Sequence, residues 1–119
     1  MSMNARRVGP ALESHYRFVL WLMPAVAKFP RSSKFVLGDR IQGAALDVQE
    51  ALIAATYTRE RREHLAQANL GLEKLRMFAR LAFDLRFLDA RRYEYAARSI
   101  DETGRFVGSW AKSGEASAA

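Results

Sequence analysis

The chain has 119 residues, which suits one domain with a real hydrophobic core. It contains no cysteine, which excludes a disulfide framework and a thiolate metal site. Lys and Arg number 19 against 13 Asp and Glu, and the net charge of +6 favours an anionic partner. No apolar run approaches the roughly 18 residues that a membrane span needs, and nothing resembles a signal peptide. We therefore predict a soluble, cytoplasmic protein that does not contact membranes.

Four stretches carry apolar residues at steps of three and four, which is the spacing of amphipathic helices. The predicted helices cover residues 10–29, 34–56, 58–88 and 90–112. Pro10 suits a first helical position, and Ser33, Thr58 and Asp89 are placed to cap the other three helices. Because the loops are short, consecutive helices should be antiparallel neighbours. The sequence predicts an all-α fold, an antiparallel up-down-up-down four-helix bundle over residues 10–112, with flexible tails at 1–9 and 113–119.

The third helix carries two apolar stripes, although a helix of an isolated bundle needs only one. The first stripe, predicted to face the core, consists of Leu65, Leu72, Leu75, Ala79 and Ala82. The second consists of Leu70, Met77, Leu81, Leu85 and Leu88. This second stripe must meet water, be covered by another element, or face another copy of the chain. We take self-association as the leading hypothesis, with Leu70, Met77, Leu81 and Leu85 at the oligomer interface.

Basic residues gather at the two ends of the predicted bundle. The end that holds the first and third loops collects Lys28, Arg31, Lys34, Arg86, Arg91 and Arg92. Asp89 alone opposes them, whereas acids partly offset the arginines of the other end. Two interpretations remain open: these cations only solvate the bundle, or they bind phosphates. Few aromatic residues lie among them, so base stacking and sequence-specific reading are not expected.

Catalytic chemistry has no residues to carry it in this sequence. His15 and His64 stand near the starts of the first and third helices, and their spacing to carboxylates does not match a bundle metal site. There is no glycine-rich phosphate loop and no nucleophile matched to a base. Other charges pair locally along helices: Glu73 with Arg76, Arg80 with Asp84, Glu94 with Arg98 and Asp101 with Arg105. We predict no enzyme activity, no cofactor and no metal.

Four blocks of the chain resemble a known family. They are Phe29-Pro-Arg-Ser-Ser-Lys-Phe-Val-Leu-Gly-Asp-Arg-Ile41, Glu73-Lys-Leu-Arg-Met-Phe-Ala-Arg-Leu-Ala-Phe-Asp-Leu85, Tyr93-Glu-Tyr-Ala-Ala-Arg98 and Asp101-Glu-Thr-Gly-Arg-Phe-Val-Gly-Ser-Trp-Ala-Lys-Ser113. In order and spacing they resemble the Avd family, the accessory variability determinants of bacterial diversity-generating retroelements. The same fold family includes bundle proteins encoded in intervening sequences of 23S ribosomal RNA genes.

The resemblance implies a barrel-shaped homopentamer of four-helix bundles. It also implies two partners, the reverse transcriptase of the element and its template RNA, and a non-catalytic role in mutagenic cDNA synthesis. The alternative is an oligomeric scaffold of the intervening-sequence type that acts through protein partners. The resemblance implies that five residues within the matched blocks contact RNA: Arg31, Lys34, Arg40, Arg76 and Arg80. For the last three of these residues, structural roles are an equal alternative.

Overall fold

The structure is a computed structural model that describes the backbone of residues 9–118 and the side chains of residues 9–113. These residues form helices only, with no strand among them. Helix α1 is Pro10–Ala27, α3 is Arg62–Asp84 and α4 is Ala90–Ala118. Helix α2 is built of three consecutive segments, Arg31–Ser33, a π-helical turn Lys34–Gly38, and Asp39–Thr56. Each helix packs against the next, and α4 packs against α1. The all-α, four-helix prediction is therefore confirmed over the described residues.

Two of the predicted caps are wrong. Helix α2 begins at Arg31, and Ser33 makes no capping bond. Instead the Pro30 carbonyl accepts the N–H groups of Ser33 and Lys34, each at 2.9 Å, because proline fixes the turn there. Helix α3 begins at Arg62 and not at Thr58, whose carbonyl oxygen accepts a bond from the Arg61 side chain in the preceding turn.

The cap of the fourth helix is confirmed, while its predicted end is wrong. The Oδ1 atom of Asp89 accepts the Arg92 backbone N–H at 2.8 Å, which satisfies a free donor of the first turn. Helix α4 continues past Lys112 to Ala118, so residues 113–118 are helical. No proline follows to stop the helix, and the alanines there favour it. The tail predicted at residues 1–9 lies outside the described residues, except for Gly9.

The predicted core stripe of α3 is buried in full, and the second stripe loses one member. Leu88 is only 4% exposed, so its place in the second stripe is wrong. It follows the end of α3, and its N–H group donates to the Ala82 carbonyl at 3.3 Å as the chain folds back. The other four members lie on the surface of α3.

Two buried polar contacts hold α1 in the bundle. The Ser14 and Thr103 hydroxyls bond at 2.9 Å and join α1 to α4. The Nε2 atom of His15 lies 2.7 Å from the Ala45 carbonyl oxygen and therefore donates to it, which joins α1 to α2. The His15 ring is fully buried, and its Nδ1 atom has no hydrogen-bond partner among the described residues. Burial lowers the pKa of His15, although the bond to Ala45 opposes that shift.

We expect the free energy of unfolding to fall as the pH drops below about 6.5, the pKa of an unburied histidine. Because the pKa is lower in the folded state, the unfolded chain binds the extra proton, and the loss approaches about 1.4 kcal/mol per pH unit. Urea unfolding between pH 5 and pH 8 measures this loss in the free energy of unfolding. His15→Gln keeps a donor and should remove this pH dependence, with His64→Gln as the matched control. An equal slope in His15→Gln and the parent would contradict the assignment.

Candidate nucleic-acid interface

The first and third loops meet at one end of the bundle. The Phe29 and Phe87 rings, one from each loop, pack with centroids 5.5 Å apart. This contact places six cations at the same end, and we call that set the basic end: Lys28, Arg31, Lys34, Arg86, Arg91 and Arg92. All are exposed except Lys34, which is half-buried. The sequence-predicted residues of this end are therefore brought together.

The single acid of the basic end is already engaged. Asp89 caps α4 and lies 3.6 Å from the Arg92 guanidinium, measured from Oδ2 to Nη1. Among the described residues no carboxylate forms an ion pair with any of the other five cations. The positive charge of this end is thus largely uncompensated.

Two of the other predicted contact residues, Arg76 and Arg80, lie on α3, eight and four residues before its last residue, Asp84. The Arg76 guanidinium bonds Glu73 at 3.0 Å and also bonds Asp101 of α4. It is therefore neutralised while it ties α3 to α4. Arg80 stays exposed, 3.9 Å from Asp84. Exposed pairs of this kind are weak, which leaves Arg80 available to a ligand.

The predicted pair of Asp101 with Arg105 is wrong, because Asp101 bonds Arg76 across the helix interface instead. Arg105 is exposed and, among the described residues, has no ion-pair partner. It belongs to a series that the sequence reasoning missed: Arg91, Arg98, Arg105 and Lys112, all exposed and seven residues apart. On a helix such positions lie nearly in line, about 10.5 Å apart. This α4 cation row extends from the basic end, and its signal in the sequence was the period of seven.

Arg86 has a backbone conformation that favours glycine, with φ at 67°. It closes α3, since the Arg86 N–H donates to Phe83 and the Phe87 N–H donates to the Ala82 carbonyl at 2.8 Å. These two bonds define a Schellman motif, which most often carries glycine at this position. An arginine here costs stability and extends a guanidinium from the basic end.

Two apolar faces are left uncovered by the residues that the structure describes. The α3 stripe consists of Leu70, Met77, Leu81 and Leu85, which are 45–60% exposed. Leu70 and Gly43 lie on one face of the α2–α3 pair, because Gly71 and Ala44, the residues that follow them, meet at the seam between those antiparallel helices.

The second face lies on the α1–α2 pair. His15 and Ala45 meet at the α1–α2 seam. In antiparallel helices the next residues, Tyr16 and Leu46, turn about 100° to the same side of that seam. Leu20 lies one turn after Tyr16 on α1, and Ile53 lies two turns after Leu46 on α2. The α1–α2 face therefore consists of Tyr16, Leu20, Leu46 and Ile53. All four side chains are exposed.

Metal and small-molecule sites have little support in the described part of the chain. No three His, Asp or Glu side chains cluster there as metal ligands. An open cleft of about 310 Å³ between α1 and α4 is lined in part by Arg17, Tyr95 and Arg98. Both arginines pair with glutamates of their own helices, and the carboxylate of Glu102 also lines the cleft. In the same part of the chain, no helix has the length and apolarity to cross a membrane.

A family model described as bAvd-like matches residues 11–114. The chain belongs to the bAvd-like family. The match covers α2 and α3 in full and most of α1 and α4, and it agrees with the resemblance to Avd proteins. No curated protein and no solved structure matches the chain.

We expect Arg86→Gly to raise the free energy of unfolding by roughly 0.5–1 kcal/mol, because glycine relieves the left-handed strain at a smaller cost in unfolded-state entropy. Arg86→Ala is the matched control, since alanine removes the guanidinium and keeps the strain. Urea unfolding of both variants and the parent measures the effect. If Arg86→Gly were less stable than Arg86→Ala, relief of strain would be excluded.

Proposed function

We propose that this bAvd-like protein is a non-catalytic accessory of a diversity-generating retroelement. In this role it assembles as a homopentamer and binds the template RNA and the reverse transcriptase, supporting mutagenic cDNA synthesis. The observation that carries the proposal is the division of the surface: one end gathers six cations and one engaged acid, while two different faces stay apolar. Family membership supplies the retroelement context.

Ring assembly follows from the difference between the two apolar faces. If the α3 stripe of one copy packs against the α1–α2 face of the next, the contact is heterologous, and such contacts generate rings when the rotation closes. Leu85 lies 15 positions after Leu70, so the α3 stripe is about 22 Å long at the helical rise per residue. An interface that runs along the helices keeps the helices of neighbouring copies side by side. The basic ends of all copies then share one rim of the ring.

RNA binding follows from the repetition of that end. Each phosphate that a cation neutralises releases counterions, so affinity rises with the number of cations that one RNA can reach at once. A ring multiplies the basic end by the number of its copies. The α4 cation row of each copy leads away from the rim and offers a path for a longer strand. We infer no catalytic step, since His15 is buried against Ala45.

We expect the double variant Leu81→Asp with Leu85→Asp to release monomers, because buried carboxylates would disrupt the interface. The double variant Leu46→Asp with Ile53→Asp should do the same through the other face. Mixing the two variants tests the heterologous contact, since each retains the face that the other needs.

The mixture should form a one-to-one heterodimer that cannot grow, measured by light scattering. Two unchanged pentamers would show that the aspartates lie outside any interface. Monomers that fail to pair on mixing would contradict a contact between the α3 stripe and the α1–α2 face. Circular dichroism on each variant confirms that the helices persist.

We expect charge reversal to glutamate at Arg31, Arg91 and Arg92 together to abolish binding to a structured RNA. Three lost phosphate contacts should lower the slope of log affinity against log salt by about two to three. Acids in the first turn of α4 favour the helix dipole, so the fold should survive. Fluorescence anisotropy over a salt series measures binding.

The matched control reverses Arg59, Arg61 and Arg62, which lie at the opposite end, outside the α4 cation row, and carry the same charge. Equal loss in both triple variants would assign binding to net charge rather than to the basic end. A loss of no more than a few-fold in the first variant would exclude that end as the site. In that case the scaffold function through protein partners would become the better account.

A further inference from the structure

The π-helical turn of α2 places two adjacent apolar side chains in solvent at the basic end. Phe35 is 66% exposed and Val36 is 68% exposed, while Leu37 and Gly38 next to them are buried. A π turn contains about one residue more than an α turn, and such turns are frequent at functional sites. Burying a phenylalanine side chain would stabilise the fold, so its exposure needs a reason.

The surroundings of Phe35 are cationic. Lys34 precedes it, Arg31 lies one turn earlier, and Lys28 stands in the adjoining loop. No acid precedes Asp39 in this part of α2, and none of the three cations forms an ion pair in the described structure. The expectation that aromatic residues are too few here for stacking therefore overlooked a solvent-exposed ring.

We propose that Phe35 is a stacking platform for an unpaired base of single-stranded nucleic acid held at the basic end. This inference rests on the proposed function and assigns its ligand class. An aromatic ring beside cations that track the backbone is the combination by which proteins bind single strands without sequence preference. Every base has a π face, so one ring accepts any of the four.

A single strand fits this arrangement better than a duplex does. In a duplex the base faces are covered by their neighbours, and an exposed ring gains no contact without unstacking a step. It also fits better than a protein partner. Energetically dominant residues of protein interfaces lie in desolvated pockets within an apolar surround, whereas Phe35 is exposed next to Val36 and has Arg31, Lys34 and Asp39 as charged neighbours along α2.

The experiment combines a protein variant with a ligand variant. Binding of the parent and of Phe35→Ala is measured for an unstructured RNA strand of about 12 nucleotides, a length within the usual footprint of single-strand binders. The same measurement uses a strand of equal length in which every base is absent, so that phosphates remain and stacking is lost. Phe35→Ala should weaken binding of the intact strand at least about five-fold and leave binding of the abasic strand unchanged. Phe35→Trp should restore binding of the intact strand.

Tyr57→Ala is the matched control, since Tyr57 is 80% exposed at the opposite end of α2. This variant should bind both strands as tightly as the parent does. If Phe35→Ala weakened binding of both strands equally, or weakened binding of neither strand, the stacking proposal would be overturned while charge-based binding stayed intact. A smaller assembly mass for Phe35→Ala would overturn it in favour of a contact between copies. A parent that binds neither strand but still binds the structured RNA would overturn the stacking proposal alone, and a parent that binds none of the three would overturn the proposed function itself.

Discussion

The close approach of α2 and α3 is the contact on which the arrangement of the surface depends. A Cβ atom on Gly71 would lie 2.4 Å from a Cγ atom of Val48 and 3.9 Å from the Ala44 carbonyl oxygen. Only glycine leaves room for Val48 there, so the contact fixes the rotation of both helices. With Gly71 directed inward, Leu70 must lie outside. The exposure of the α3 stripe is thus a consequence of packing and not an excess of hydrophobic residues.

The same rotation places α2 between the two apolar faces, the α3 stripe and the α1–α2 face. Ala44 and Ala45 face α3 and α1 respectively, so Gly43 lies beside the α3 stripe and Leu46 belongs to the α1–α2 face. Both faces run along the helices, yet their side chains differ, since Tyr16 contributes an aromatic ring to one and Met77 a flexible thioether to the other. A chain with two unlike faces satisfies both by contacting two neighbours, which favours a ring over a two-fold dimer.

Features set by local sequence could be predicted, and those set by contacts between distant residues could not. The Asp89 cap and the two stripes of α3 follow from spacing alone. Asp101 had an acceptable partner four residues away in Arg105, and only packing of α3 against α4 brings Arg76 nearer. Arg86 gave no signal, because a left-handed helix end normally requires glycine in the sequence. The π turn shifts the helical phase before Gly38, so periodicity could not tell which way Phe35 points.

The basic end carries local costs that a merely solubilising charge would avoid. Arg86 occupies a left-handed conformation, and Arg91 and Arg92 stand in the first turn of α4, where the helix dipole disfavours cations. A sequence that needed positive charge only for solubility could place these arginines near helix C-termini, where the dipole favours them. The Asp89 cap and the packing of Phe29 on Phe87 offset these costs at the same end. Concentration of destabilising features at one place, with compensation beside them, is typical of functional sites, and it favours phosphate binding over solvation for this end of the bundle.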